Sequence, residues 1–324
     1  MTNIADERKR LLIKVCNFYY IDGLNQQEIS NKMGISRPQI SRMLSQAKTE
    51  GIVNITIKNP YSEEEKYEKE LVETFGIQSA VVIDTAQANQ EEVNHCLGGS
   101  ATVLLESTLK DNSVLGIMAG ISMNSVSEEM VYFPRKNLCI VPLVGGWGPD
   151  GEKWQANLNV SNIGEKLRCK YMQLNAPAFV ASKITRDVLL EEPIVSDVLD
   201  VARNSTVALV GIGQISKNAT IMRAGFFDSG EFDELKKNGA VASLCNSFLN
   251  ERGECIDFTA SSRMIGITAE EVKKITQVIA IASGDEKISA ITAVLRGGWI
   301  DVLITNLSTA KEILKWHKLY PVSK

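Results

Sequence analysis

Histidine is scarce in this sequence: His95 and His317 are the only two in 324 residues. A histidine-rich metal centre is therefore excluded, and general-base chemistry through imidazole has few candidates. The six cysteines (Cys16, Cys96, Cys139, Cys169, Cys245, Cys255) include no Cys-x-x-Cys pair. That argues against a zinc site or a disulfide framework and suits reduced thiols in the cytoplasm. No apolar run approaches the roughly 20 residues that a membrane-spanning helix needs, so an integral membrane protein is not expected. The opening MTNIADERKR is charged and lacks the apolar stretch of a secretory signal. Neither Gly-x-Gly-x-x-Gly nor Gly-x-x-x-x-Gly-Lys-Ser/Thr occurs, which leaves dinucleotide and triphosphate binding unsupported.

What is present is globular in balance. The chain is 44% hydrophobic and 23% charged, which argues against wholesale disorder. Its length allows two or three domains. Charge is divided unevenly: residues 1–58 hold nine basic and five acidic residues, net +4, whereas the whole chain is −4. A basic small module joined to an acidic large one is the layout expected when only one end meets a polyanion.

Three helices are readable before residue 51. Leu11, Leu12, Val15, Phe18 and Tyr19 make an apolar stripe over residues 6–21, which Asp22-Gly23 ends. Asn25, with Glu28 three residues on, forms a capping box for a second helix over residues 26–33, and Gly34 breaks it. Ser36 caps the third helix, Pro38 sits in its first turn, and Ile40, Met43, Leu44 and Ala47 supply its buried face. Two short helices joined by Gly-Ile-Ser form a helix-turn-helix, whose second helix enters the major groove of DNA. The exposed residues of that helix, Arg37, Gln39, Ser41, Arg42, Gln46 and Lys48, suit the task. Arg pairs bidentately with guanine and Gln with adenine, while Ser and Lys commonly contact phosphate. With Pro38, the residues Arg37, Gln39, Ser41, Arg42 and Lys48 are the DNA-binding candidates. The β-branched run at 52–57 reads as a short strand, and Lys58-Asn59-Pro60 as a break. A charged helix follows at 61–75, with Tyr67, Leu71 and Phe75 forming a narrow seam for a partner subunit or for the large domain.

From Ser79 onward, apolar runs at 80–84, 114–117, 138–144, 206–213, 278–283 and 301–305 alternate with amphipathic stretches. That pattern predicts a doubly wound, mostly parallel α/β sheet with ligands bound beyond the carboxyl ends of its strands. Small and polar residues stand at those ends: Gly120, Ser122 and Ser125 after one strand, Gly145 and Gly146 after another, Gly211 and Gly213 after a third, Lys287 after a fourth. Glycine lets a ligand approach the backbone, and helix N-termini offer N–H groups to anions. A pocket for a phosphorylated small molecule is the expectation, with Trp147 able to stack on a sugar. His95 and the cysteines read as packing or surface residues, and no metal or cofactor is expected.

Along nearly its full length the chain resembles the SorC family of sugar-responsive bacterial transcriptional regulators, which includes DeoR-type and central glycolytic gene regulators. The residues carrying this are FYYIDGLNQQEISNKMGISRPQISRMLSQAKTEGIV (18–53), VPLVGG (141–146), LNAPAF (174–179), VGIG (210–213), MRAGFF (222–227), NGAVASL (238–244) and SGDEKISAITAVLRGGWIDVLITNLSTA (283–310). The resemblance implies a DNA-binding domain (1–58), a linker or oligomerisation helix (59–76) and a phosphosugar isomerase/deaminase-like effector domain (77–324). It also implies dimers or tetramers, double-stranded operator DNA as partner, and a phosphorylated sugar or sugar-derived effector. Carried over by position, Ser122 is a phosphate contact, Arg223 and Lys287 are basic groups near the ligand, and Gly211 and Gly213 form the glycine loop. The chain departs from the family where Ala242-Ser243 replaces Gly followed by Asp or Glu, where Ser283-Gly284 replaces Gly-Gly, and where Asn306 replaces Asp. Losing a carboxylate at Ser243 implies a ligand with fewer hydroxyls than a hexose phosphate, or one bound differently.

A ligand-controlled transcription factor is thus the leading expectation. A sugar-phosphate isomerase or deaminase is the alternative, weakened by the shortage of acid/base groups beside the glycine loops and by the helix-turn-helix. A nonspecific architectural DNA binder leaves the large acidic domain unexplained.

Overall fold

The structure, a computed structural model, describes residues 4–53, 55, 59–147, 153–216, 219 and 227–322. The chain forms two compact units, residues 1–60 and 61–324.

In the first unit, α1 (Ile4–Cys16), α2 (Gln26–Met33) and α3 (Arg37–Thr49) enclose Leu12, Val15, Cys16, Ile29, Ile40, Leu44 and Ala47. The stripe expected over residues 6–21 is not one α-helix: after Cys16 the backbone widens into a π-helical turn, Asn17–Ile21. Its closing bond runs from Asp22 N–H to the Asn17 carbonyl, and Gly23 then turns at φ +70°. The strand expected at 52–57 lies partly outside the described residues. Of the described ones, Ile52 and Val53 both donate to the Ala47 carbonyl, so the chain folds back on α3 instead of extending.

The second unit opens with α4 (Ser62–Phe75), then alternates strands and helices: β1 (Ser79–Ile83), α5 (Gln90–Thr108), β2 (Val114–Ile117), α6 (Ile121–Glu129), β3 (Cys139–Pro142), α7 (Ala156–Leu167) and β4 (Lys170–Tyr171). After these come α8 (Lys183–Glu191), α9 (Pro193–Arg203), β5 (Val207–Gly211), β6 (Gly213–Gln214), α10 (Ser229–Lys237), β7 (Ala242–Leu244) and β8 (Ser247–Leu249). The unit closes with α11 (Ala269–Val272), β9 (Gln277–Ile281), α12 (Ile288–Arg296), β10 (Val302–Asn306) and α13 (Leu307–Leu319). Seven strands pair in the order β1-β10-β9-β5-β2-β3-β4, every pair parallel. All six expected apolar runs are strands of this sheet. From β2 the chain winds to β3 and β4, whereas from β5 it winds the other way to β9 and β10; this is the doubly wound pattern. A small antiparallel sheet, β6-β7-β8, was not anticipated, because strands of two or three residues are too short for an alternation signal.

Helix α4 uses its seam on its own unit. Leu71 is fully buried, Tyr67, Val72 and Phe75 pack on the same core, and the Phe75 ring meets His317 edge-on at 4.8 Å. Lys311–Glu63 (2.7 Å) and Lys318–Glu70 (2.9 Å) tie it to α13. No helix among the described residues is long and apolar enough to cross a membrane.

Candidate functional site

Two surfaces concentrate the sequence-derived candidates, one in each unit. In the first, Asn25 Oδ1 accepts from the N–H groups of Gln27 and Glu28, while the Glu28 carboxylate accepts from Asn25 N–H at 2.8 Å. This capping box fixes where α2 starts. Gly34, left-handed at φ +68°, ends α2 and redirects the chain into α3. Ser36 holds the N-cap position of α3, but its side chain makes no capping bond, and Pro38 occupies the first turn. With Ile40, Leu44 and Ala47 turned inward, Arg37, Pro38, Gln39, Arg42 and Lys48 are exposed and Ser41 is half-buried. Neither Arg37 nor Arg42 has an ion-pair partner among the described residues. Two further exposed residues, Ser45 and Thr49, share the face of Arg42; their hydroxyls donate back to the carbonyls of Ser41 and Ser45. Helical spacing from Pro38 and Arg42 was signal enough to find them.

In the second unit, β2 and β5 are neighbours from which the chain departs in opposite directions, and a crevice opens beyond such a switch point. A cavity of about 230 Å³ lies there, lined by residues that follow β2, β5 and β9. Drug-sized ligands occupy pockets of roughly 300–1,000 Å³, so this one fits a smaller metabolite. Gly120, at φ +144°, swings the chain from β2 into α6, whose first turn has no side-chain cap. Gly284, at φ +112°, does the same after β9, entering a 3-10 turn (Asp285–Lys287) that also lacks a side-chain cap and leads into α12. Both conformations are ones that L side chains rarely adopt. Uncapped first turns present free N–H groups and the positive end of the helix dipole.

Among the described residues, the ionisable groups on the cavity wall are Cys245, Glu286 and Lys287. Burial pushes the Lys287 ammonium below the ordinary lysine range, with the Glu286 carboxylate acting against that shift. Burial pushes the Cys245 thiol up to about 12, so it stays neutral and is no nucleophile near pH 7. Neither histidine lines the cavity; His95 bonds Glu129 at 2.9 Å, and His317 meets the Phe75 ring edge-on.

The family model "Putative sugar-binding domain" matches residues 59–315. The chain is 30% identical over 316 residues to the transcriptional regulator LsrR of Enterobacter sp. (strain 638), covering 96% of this chain and 94% of that protein. It is 27% identical to the sorbitol operon regulator of Klebsiella pneumoniae, over 94% of this chain and 98% of that one. The crystal structure of the full-length sorbitol operon regulator SorC from Klebsiella pneumoniae superposes with a TM-score of 0.75, at 26% identity, over 97% of this chain and 100% of that chain. The chain belongs to the SorC family of sugar-binding transcriptional regulators. Its named relatives are regulators, not enzymes.

Of the positions singled out by the SorC-family resemblance and the glycine loops, Gly120, Ser122, Gly211, Gly213, Ser243 and Lys287 meet in this one cavity, with Trp147 beside them. Three others do not line it. Ser125 is buried, its hydroxyl donating to the Ile121 carbonyl, at a crossing where a Cβ on Gly98 would lie 2.7 Å from the Ser125 backbone. Gly145 and Gly146 turn toward residues 176–178: a Cβ on Gly145 would meet the Ala176 carbonyl at 2.6 Å, and Gly146 N–H bonds that carbonyl. Gly145 thus serves close backbone packing, and Gly146 pairs with the same segment through its backbone. Arg223 lies outside the described residues. Gln214, Ser283 and Glu286 also line the wall and stand in the strand-end stretches 211–214 and 283–287 marked by the sequence, whereas Gln90 and Asn94 carried no motif.

Proposed function

We propose that this sugar-responsive regulator binds operator DNA through α3 and is controlled by a phosphorylated sugar held in the β2–β5 crevice. The observation that carries the reading is the convergence of two uncapped helical first turns and the Lys287 ammonium on one small cavity. A phosphoryl group matches backbone N–H donors, the Ser122 hydroxyl and a lysine charge, as anions do at helix N-termini generally. Gly120 and Gly211, where a Cβ would meet nothing within 4 Å, let it approach the backbone, while Gly213 makes room for the Ser243 hydroxyl packed over it. At the other end, Arg37, Gln39 and Arg42 are placed to read base edges, while Ser41 and Lys48 reach phosphates beside Pro38.

Thermal-shift screening against phosphorylated sugars tests the effector half. A ligand at 100 times its dissociation constant stabilises by about 2.7 kcal/mol, whereas a panel without any shift counts against the crevice. Gel shifts with promoter fragments from the host genome test the DNA half. Arg42→Ala is expected to cost about 1–3 kcal/mol on the preferred sequence and clearly less on random DNA. Equal losses on both would remove Arg42 from base reading.

A further inference from the structure

A nearly buried hydroxyl on the cavity wall is left without a hydrogen-bond partner among the described residues. Ser283, two residues beyond the end of β9, is 6% exposed and lines the cavity, and its hydroxyl bonds no other described group. The Gln214 carbonyl oxygen has essentially no accessible surface, whereas the Ser283 hydroxyl is not sealed off in that way and opens on the cavity. A hydroxyl withdrawn from bulk water without a partner is costly, so serine is a poor filler at such a place and a good ligand contact.

Its position in the sheet says what ligand group it meets. In the order β9-β5-β2, the single strand β5 separates Ser283 from the first turn of α6. β5 ends at Gly211, registered with Ile281 of β9, and a Cβ there would meet nothing within 4 Å. The floor between the two walls is thus open to a group seated over Gly211. On one side stands α6, nine residues long, whose uncapped first turn leaves its leading N–H groups unpaired. On the other stand the Ser283 hydroxyl and Lys287, from one loop that the Lys287 N–H closes on the Gly284 carbonyl at 3.0 Å. Backbone N–H groups and an ammonium only donate, and a serine hydroxyl can donate as well. Donors on both sides of one point suit a tetrahedral anion with three terminal oxygens; a sugar hydroxyl, with one oxygen, would satisfy only part of them.

Resting on the phosphosugar reading, we infer that Ser283 is a phosphoryl-binding residue of the effector site, its hydroxyl donating to the phosphoryl oxygen that faces β9 while the α6 turn and Lys287 hold the others. The Glu286 carboxylate, also on the wall, can only accept and is left to the hydroxyl-bearing remainder of the ligand.

The test is titration of the full chain with inorganic phosphate, glycerol 3-phosphate and ribose 5-phosphate, followed by phosphorus NMR. Ser283→Ala is expected to weaken all three by a similar factor, about tenfold, and to leave the ligand-free melting temperature unchanged or raised, because the orphan hydroxyl is gone. Ser283→Gly, which removes the side chain altogether, should show the same common loss. A loss confined to the two esters, with inorganic phosphate unchanged, would put the hydroxyl against the carbon skeleton and overturn the assignment. A lowered melting temperature with unchanged affinities would make Ser283 a structural residue and overturn it equally. Unchanged affinities and melting temperatures in both variants also overturn it, while leaving the phosphosugar reading intact. Absence of binding of all three by the unaltered chain, inorganic phosphate included, brings down the phosphosugar reading itself and the assignment with it.

Discussion

Lys287→Ala is expected to weaken the effector roughly 10- to 100-fold while leaving ligand-free DNA binding intact. A hydrogen bond to a charged partner contributes about 1.5–3 kcal/mol, and each 1.4 kcal/mol is a factor of ten. Among the described residues that line the cavity, Lys287 is the one cation. Effector control follows the same arithmetic, because a ligand shifts an equilibrium only by its differential affinity for the two states. The effector concentration needed to alter DNA binding should therefore rise by the factor lost in affinity. Gel shifts across an effector titration measure it, and an unchanged midpoint in Lys287→Ala would take the lysine out of the site.

The same residue gives the interaction a pH dependence. Burial lowers the Lys287 pKa in the folded, ligand-free protein, because the desolvated ammonium is disfavoured. Between that lowered value and the ordinary lysine value, the unfolded chain binds more protons, so this group's contribution to stability increases as pH rises through the window. A bound phosphoryl anion acts oppositely: it favours the ammonium, and binding draws in a proton wherever the free lysine is partly neutral. Affinity should accordingly fall as pH climbs through the lowered pKa. Lys287→Arg, charged throughout, should flatten the alkaline side of the profile.

The parallel sheet was legible because β2, β3, β5, β9 and β10 are buried on both faces and read as near-continuous apolar runs. Glycine after a strand was less informative. Gly120 and Gly211 line the cavity, whereas Gly145 and Gly146 follow a strand just as closely and meet residues 176–178, Gly145 by close packing and Gly146 by backbone hydrogen bonds. Only the winding of the chain on either side of β2 and β5 separates the two cases, and no local pattern encodes it. Gln90 and Asn94, on α5, were invisible for a related reason: a polar residue on a helix face reads as surface until the fold turns it toward a crevice. On α3 the opposite held. Helical spacing and two capping signals placed Arg37 and Arg42 outward without any tertiary information.

Ile40→Ala should abolish DNA binding by unfolding the first unit while leaving the sugar-binding unit folded. Ile40 is fully buried and belongs to a core with seven buried members among the described residues, separate from the clusters of the second unit. Truncating a buried isoleucine to alanine costs about 2–5 kcal/mol. A unit of this size seldom holds more than roughly 3–5 kcal/mol, so the cost approaches the whole stability of residues 1–60. The expected signature in hydrogen exchange is lost protection of amides across α1 to α3, with those of β5 and β9 unchanged and effector binding retained. Arg42→Ala, at an exposed position, should weaken DNA binding with no change in protection. If Ile40→Ala instead lowered protection evenly through both units, they would share one cooperative transition, and DNA affinity would report the stability of the whole chain. With separate cores, unfolding of α1 to α3 and loss of the proposed effector response are expected to be distinct events, each reached by a single substitution.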